Sequence, residues 1–134
     1  MLDTGIPFFE NGLSIHQFQA YPTVASNYED HGTKVVTNNQ AVFPSSRLPT
    51  TTLSGDLITF SYSVNSQWSC ATFNGIVFEF LFTKSFTNVI DLDNSGYIIT
   101  FDATHVNINC KCTRMTSSTV YRFQIVHSLA LVTE

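Results

Sequence analysis

Apolar and polar side chains alternate with a period of two along most of this chain. In residues 56–64, Ile58, Phe60 and Tyr62 share one face, whereas Thr59 and Ser61 share the other. This alternation is typical of a β-strand with one buried face. Four further segments repeat the pattern: residues 75–83, 96–103, 106–112 and 119–132. Residues 75–83 carry apolar side chains on both faces, which indicates a central strand of a sandwich.

Turn-forming residues separate these segments, for example Asn-Gly at positions 74–75 and Asp-Asn-Ser-Gly at positions 93–96. Shorter candidate strands cover residues 13–20, 33–37, 67–72 and 85–91, and helical periodicity is weak throughout. Regularly spaced short strands joined by polar turns predict an all-β fold. We expect one domain over residues 1–134, an antiparallel β-sandwich that is jelly-roll-like, with about eight strands.

Two segments depart from the strand pattern. Residues 1–12 are a candidate N-terminal arm. Residues 21–56 contain Pro22, Pro44 and Pro49 and few aromatic residues, so the sequence predicts a loop-rich segment there. Such a segment is either two short edge strands joined by loops or an exposed loop that contacts a partner.

The composition narrows the class of protein. Only 12% of the 134 residues are charged, whereas 17 Thr, 14 Ser and 10 Asn supply neutral polarity. Low charge together with 13% aromatic residues excludes a disordered chain or a coiled coil. The net charge of −4 provides no basic surface, so we expect no nucleic-acid partner. No apolar run is long enough to predict a membrane span, and the N-terminus has no signal-peptide pattern.

Three cysteines cannot all pair within one chain. On a strand, Cys110 and Cys112 share an apolar face with Val106 and Ile108, so buried free thiols in a reducing compartment are the expected state. A disulfide from Cys70 to either of the others is an alternative. A zinc site that includes a nearby histidine is a further alternative, although zinc sites favour a longer Cys-to-Cys spacing.

Residues 91–98 resemble the start of a calcium-binding loop. Asp91, Asp93, Ser95 and Asp102 occupy positions that supply ligands in such a loop. However, the ninth position is Ile99, and strands rather than helices flank the segment. Asp, Asn and Gly also suit the tight turn of a β-hairpin. We therefore predict a β-hairpin turn without a metal, and these four residues remain the calcium candidates.

Aromatic residues give the remaining signal for binding. The chain has 12 Phe against five Tyr and one Trp, and phenylalanine belongs in a core or a subunit interface because it has no polar edge. Trp68 is the candidate binding residue that would stack on a sugar from an exposed position, with core packing as the alternative. Glu79 and Asp102 are candidate paired carboxylates of a glycosidase. No nucleophile elbow, metalloprotease motif or phosphate-binding glycine loop is present.

The neutral surface, the Phe-rich interior and the strand-only pattern resemble capsid-associated or fibre-tip domains of viruses and phages. The resemblance implies a structural or binding module without catalysis or cofactor, assembled in the cytoplasm or on the virion. Its expected partners are further copies of the chain, with a trimer as the expected assembly, other virion proteins or a surface glycan. A lectin-like carbohydrate-binding sandwich is the second hypothesis, and a small β-sandwich hydrolase is the third.

Overall fold

Residues 6–127 are described by the computed structural model, and they form twelve β-strands without a helix. The strands are β1 (Ser14–Ala20), β2 (Asn27–Val35), β3 (Ala41–Phe43), β4 (Thr50–Ser54), β5 (Leu57–Ser61), β6 (Ser66–Trp68), β7 (Gly75–Phe80), β8 (Asn88–Asp91), β9 (Ile98–Phe101), β10 (His105–Asn109), β11 (Thr113–Met115) and β12 (Val120–Val126). The all-β prediction is confirmed. Within residues 6–127 there is accordingly no apolar helix of membrane-spanning length.

The strands form two five-stranded antiparallel sheets and a small ribbon. Sheet A has the order β2-β1-β7-β10-β9, sheet B has the order β3-β4-β5-β12-β8, and the ribbon pairs β6 with β11. Side chains of both sheets share one apolar core, in which the rings of Phe60 and Phe78 lie 6.3 Å apart across the sheets. The antiparallel β-sandwich is therefore confirmed.

The jelly-roll connectivity is not confirmed. Many strands pair with the next strand in sequence: β1 with β2 and β9 with β10 in sheet A, and β3 with β4 and β4 with β5 in sheet B. This strand order does not establish the two Greek keys of a jelly roll. The twelve strands also exceed the expected number. The additional strands include β3 and β11, and three residues are too few to display a period of two.

Strand β7 lies in the middle of sheet A and is buried on both faces, as its sequence predicts. Its side chains Ile76, Phe78 and Phe80 enter the shared core. On the opposite face, Val77 packs against Ala20 and Phe73 in a second, smaller apolar cluster. Central position and two-sided burial therefore agree with the apolar pattern on both faces.

The expected N-terminal arm is wrong for the part of segment 1–12 that the structure describes. Phe8 and Phe9 are fully buried, and the Phe8 ring lies 5.3 Å from that of Phe80. The backbone N–H of Phe9 also donates a hydrogen bond to the Gly55 carbonyl at 2.9 Å. Burial of two phenylalanines holds this segment against the sandwich, while residues 1–5 lie outside the described range.

The segment 21–56 contains three strands, β2, β3 and β4, rather than mainly loops. Both β2 and β3 are edge strands, so the edge-strand alternative is closer to the structure than the exposed-loop alternative. Eight of the nine β2 residues are exposed. A strand with so little burial has no apolar alternation, which is why the sequence pattern predicted only its end, at residues 33–37.

The cysteines also correct the sequence-based expectation. Cys70 and Cys112 form a disulfide, with Cα atoms 4.5 Å apart, so the expected free thiols are wrong for this pair. Cys110 is a free, buried thiol, as expected, and burial raises its pKa. The physical reason lies in the backbone, because β10 ends at Asn109 and Cys112 has a positive φ of 60°. Cys112 therefore leaves the apolar face that strand periodicity assigned to it.

The strands β12 and β9 also differ from the sequence-based expectation, β12 in its length and β9 in the burial of its last residue. β12 covers Val120–Val126 of the predicted segment 119–132, and residues 128–132 lie outside the described range. Phe101, which the alternation placed on a buried face, is 39% exposed at the end of the edge strand β9. An edge position leaves such a side chain without a neighbouring strand to cover it.

Replacing Phe80 by Ala tests the position of β7 in the core. Phe80 is buried and its ring packs against those of Phe8, Phe9 and Phe86. We expect the free energy of unfolding to fall by roughly 3–5 kcal/mol, the usual cost of a buried Phe→Ala cavity. Phe101→Ala is the comparison and should cost less than Phe80→Ala, because the Phe101 ring is 39% exposed and packs against only one of these rings, that of Phe86. Equal losses in the two variants, measured by urea unfolding, would contradict this packing.

Candidate functional site

The candidate site begins with a change of side-chain character along β1. Its register with β7 places Ile15, Gln17 and Gln19 on the core side of sheet A. Ile15 is buried among apolar side chains, whereas the next two residues on the same face, Gln17 and Gln19, carry buried amides. Burying amides in an apolar core is costly unless they are hydrogen-bonded. Along β1, the core face therefore changes from apolar to amide side chains after Ile15, whereas the partners of these amides on β7, Phe78 and Ile76, stay in the apolar core. The amide end of β1 lines two clefts.

The first of these, cleft 1, has a volume of about 590 Å³, within the usual range for small-molecule sites. It lies between the β1–β2 end of sheet A and the ribbon strand β6. Amides, hydroxyls and tyrosine rings make up much of its wall, and Arg47 is its one ionised lining residue at neutral pH. The lining residues are Gln19, Tyr21, Tyr28, Arg47, Leu48, Tyr62, Val64, Asn65, Ser66, Gln67, Trp68, Ser69 and Asn74.

A chain of amides fixes one wall of cleft 1. Gln19 Nε2 donates to Asn74 Oδ1 at 3.3 Å, and Asn74 Nδ2 donates to the carbonyl and the hydroxyl of Ser69 at 3.0 and 3.1 Å. The backbone N–H of Asn74 donates to Asn109 Oδ1 at 3.1 Å. Gln19 Oε1, in contrast, is buried and has no hydrogen-bond partner among residues 6–127. An unpaired buried acceptor is uncommon in folded proteins, so this wall has unused hydrogen-bonding capacity.

Two tyrosines form an aromatic wall of the same cleft. The rings of Tyr21 and Tyr28 meet edge to face with centroids 5.4 Å apart, and Tyr28 is 62% exposed. The β1–β2 register pairs Gln19 with Glu29 and Ala20 with Asn27, which leaves Tyr28 as the extra residue of a β-bulge. Bulges change the direction of a side chain relative to a regular strand. The irregular backbone thus supports an exposed aromatic ring beside the amide wall.

Trp68 also lines cleft 1, but its ring is only 3% exposed. Its Nε1–H donates to the Tyr62 hydroxyl at 3.1 Å, and that hydroxyl lies 2.9 Å from the hydroxyl of Tyr97. Burial raises the pKa of both tyrosines, so these hydroxyls stay protonated. The exposed stacking position considered for Trp68 is therefore wrong, and the structure supports core packing. The Trp68 ring can be buried because its one polar group, the indole N–H, has a hydrogen-bond acceptor in the Tyr62 hydroxyl.

Arg47 stands between cleft 1 and a second cleft. This cleft 2 has a volume of about 560 Å³ and is lined by Gln17, Glu29, Asp30, His31, Lys34, Phe43, Pro44, Ser45, Ser46 and Arg47. Arg47 Nη2 donates to Glu29 Oε1 at 3.0 Å, and the same carboxylate oxygen lies 3.2 Å from His31 Nε2. Gln17 Nε2 completes the line by contacting His31 Nδ1 at 2.7 Å. The Arg47–Glu29 pair thus lies between cleft 1, whose lining has one cation, and cleft 2, whose lining has both cations and carboxylates.

A row of carboxylates and histidines crosses the outer face of sheet A. Glu79 on β7 lies 3.0 Å from His16 Nδ1 and 3.5 Å from His105 Nε2, on its two neighbouring strands. Asp30 on β2 contacts His16 Nε2 at 2.8 Å, and Asp102 contacts His105 Nδ1 at 3.0 Å. The predicted carboxylate pair, Glu79 and Asp102, therefore contacts the same imidazole, that of His105. Both carboxylates are at least partly exposed, and neither lines cleft 1 or cleft 2.

The segment 91–96 is not the turn of a β-hairpin, which corrects the prediction. β8 belongs to sheet B and β9 to sheet A, so the segment crosses between the sheets. Positive φ angles at Asn94 and Gly96 explain why its sequence suits a tight turn.

The four calcium candidates do not converge on one point. Asp91 accepts hydrogen bonds from the N–H and hydroxyl of Ser95 at 3.0 and 2.8 Å. Asp93 is held by Arg122, whose hydrogen bonds lower the pKa of that carboxyl, and Asp102 accepts the backbone N–H of His105. Within residues 6–127, no group of three His, Cys, Asp or Glu side chains is arranged to hold a metal ion. The absence of a metal stays a prediction.

Comparisons of the chain with protein-family models, with curated proteins and with solved structures find no match. The functional argument therefore rests on the geometry of the clefts. Sequence reasoning placed Trp68 near this region but missed Gln17, Gln19, Tyr28 and Arg47. One available signal was the position of two glutamines on the same strand face as Ile15.

The acid–histidine row predicts that mild acid stabilises the protein. Burial lowers the pKa of His16, but hydrogen bonds to Asp30 and Glu79 outweigh it, and the net pKa is raised. This contribution is complete below the unfolded pKa of about 6.5 and is lost as the pH rises through the folded value. Lowering the pH from about 8 to about 6 should therefore raise the urea midpoint. His16→Gln should reduce this rise, whereas an identical rise in both proteins would contradict the argument.

Proposed function

We propose that this chain is a non-catalytic binding module that takes a saccharide in cleft 1. The observation that carries the proposal is the composition of the cleft wall, where amides and hydroxyls lie beside an exposed tyrosine ring. Saccharides present hydroxyls for hydrogen bonds and apolar ring faces for packing, and tyrosine combines an apolar body with a polar edge. A mostly neutral, polar cleft of this volume matches those needs.

The distribution of carboxylates supports binding rather than hydrolysis. A glycosidase needs two carboxyl groups that flank the bond to be cleaved. Among the described residues, the lining of cleft 1 contains no Asp or Glu. The predicted carboxylate pair, Glu79 and Asp102, lies on the outer face of sheet A. The lectin-like hypothesis is therefore favoured over the hydrolase hypothesis.

Removing the exposed tyrosine ring tests this proposal. Tyr28→Ala takes away the most exposed aromatic group of cleft 1, so the affinity for a bound saccharide should fall by about tenfold, comparable to the loss of one aromatic contact. The measurement is isothermal titration with the saccharides that the unmodified protein retains on a glycan array. Val120→Ala, which removes an exposed apolar side chain of β12, is the control and should leave the affinity unchanged. Binding that is unaffected by Tyr28→Ala would contradict the assignment of cleft 1.

A second proposal, self-association, rests on the edge strand β9. Among residues 6–127, this strand has a neighbouring strand on one side only, and its side chains Ile98 and Phe101 are 52% and 39% exposed. Exposed apolar edge strands are templates for pairing with another chain. A virion-associated role, with assembly into trimers, remains part of this proposal and is supported by the resemblance in composition alone.

The mass in solution tests the second proposal. A chain of 15.0 kDa that assembles through β9 should scatter light as an oligomer at micromolar concentration, and Ile98→Lys should return it to the monomer mass. A monomer mass for the unmodified protein would refute assembly. A dimer mass that is sensitive to Ile98→Lys would refute the trimer and keep the β9 interface.

A further inference from the structure

The charge of cleft 1 differs from that of the whole protein. The chain has a net charge of −4, yet the one ionised side chain that lines the cleft is the cation of Arg47. Cleft 2, on the other side of Arg47, contains the carboxylates Glu29 and Asp30 together with Lys34. In cleft 1, an anionic ligand therefore meets the Arg47 cation, which is paired with Glu29 at 3.0 Å, and no lining carboxylate among the described residues. In cleft 2, which Arg47 also lines, it meets the carboxylates Glu29 and Asp30 as lining groups. The electrostatic difference favours cleft 1 for an anion.

Arg47 has hydrogen-bonding capacity left for such a ligand. One nitrogen of its guanidinium, Nη2, donates to Glu29 Oε1 at 3.0 Å. Within the described part of the chain, Nε and Nη1 make no hydrogen bond, and the side chain is 63% exposed. A guanidinium presents five N–H donors in a planar fork that matches a carboxylate. Glu29 thus positions the guanidinium while leaving donors available.

Other lining residues of cleft 1 provide contacts that a simple anion does not use. Tyr28 is an exposed ring, and the Gln19 and Asn74 amides line the same cleft. Among residues 6–127, Gln19 Oε1 has no hydrogen-bond partner, so this part of the wall contains an acceptor whose capacity is unused. A cleft that contains a cation, an exposed aromatic ring and amides suits a ligand with both a carboxylate and a hydroxylated ring.

We infer that the preferred ligand of cleft 1 is an acidic saccharide, whose carboxylate pairs with Arg47 while its ring lies against Tyr28. This inference rests on the proposed saccharide-binding function and specifies its ligand class. It also separates the two requirements of binding: the ring contacts select a sugar, and Arg47 selects a charged sugar over a neutral one.

The test uses pairs of ligands in which a methyl ester removes the charge of the carboxylate. N-acetylneuraminic acid, glucuronic acid and galacturonic acid are each compared with their methyl esters by NMR titration of the full chain. For at least one pair, we expect the acid to bind about tenfold more tightly than its ester, because charge-assisted bidentate contacts are stronger than neutral ones. Added salt should weaken binding of the acid more than binding of the ester.

Variants of Arg47 separate the role of charge from the role of the planar fork. Arg47→Ala should bring the acid-to-ester ratio of affinities close to one, and Arg47→Lys should give an intermediate ratio. Arg122→Ala is the matched control, because this exposed arginine also pairs with a carboxylate, Asp93, but does not line cleft 1. It changes the net charge by the same amount and should leave the ratio unchanged.

The outcomes distinguish the inference from the function on which it rests. Esters that bind as tightly as acids, or a ratio that survives Arg47→Ala, would overturn the inference while the saccharide-binding proposal stands. If neutral sugars, acids and esters all fail to bind, the proposed function is wrong and the inference fails with it. Acid binding that Arg47→Ala removes and Tyr28→Ala does not would place the anion outside cleft 1, and it would also overturn the inference.

Discussion

The antiparallel register between β1 and β7 is the constraint on which the rest of the structure depends. It pairs Gln17 with Phe78 and Gln19 with Ile76, so side chains on the core face of β1 are fixed by their partners on β7. A shift of one residue would exchange the two faces of β1 completely. Gly75 contributes to the fit on the other side of β7, because a Cβ there would collide with the backbone carbonyl of Ile108 on β10. The central strand is thus confined between its two neighbours.

The consequence of this register is that the core face of β1 becomes polar, while its partner positions on β7 stay in the apolar core. Ile15 faces the apolar core, whereas the amides that follow it on the same face line the clefts. The same register places His16 beside Glu79 on the outer face, which creates the pH-sensitive row. One strand therefore supplies the wall of the proposed binding site and a titratable group of the outer surface. The ion pair between Arg47 and Glu29 lies between cleft 1 and cleft 2, whose linings differ in charge.

Sequence reasoning succeeded where burial is regular and failed where the backbone is irregular. The alternation around Ile58 and Phe60 and the two-sided apolar run of β7 identified strands that the structure contains. The disulfide was missed because the positive φ of Cys112 interrupts the period of two. Tyr28 was missed because it lies in a bulge of an exposed edge strand, where no alternation marks its direction. Arg47 meets Glu29 only after residues distant in sequence are brought together, so no local pattern predicts their contact.

The single tryptophan provides the most direct test of the central claim, that cleft 1 is the binding site. Trp68 lines this cleft, and its indole N–H donates to Tyr62, so its one side-chain ¹⁵N–¹H resonance reports on the wall of the cleft. During titration with an acidic saccharide, this resonance and the backbone amide of Tyr28 should shift together with one dissociation constant. An unchanged indole resonance, with shifts confined to the β9 edge or the outer face of sheet A, would contradict the account.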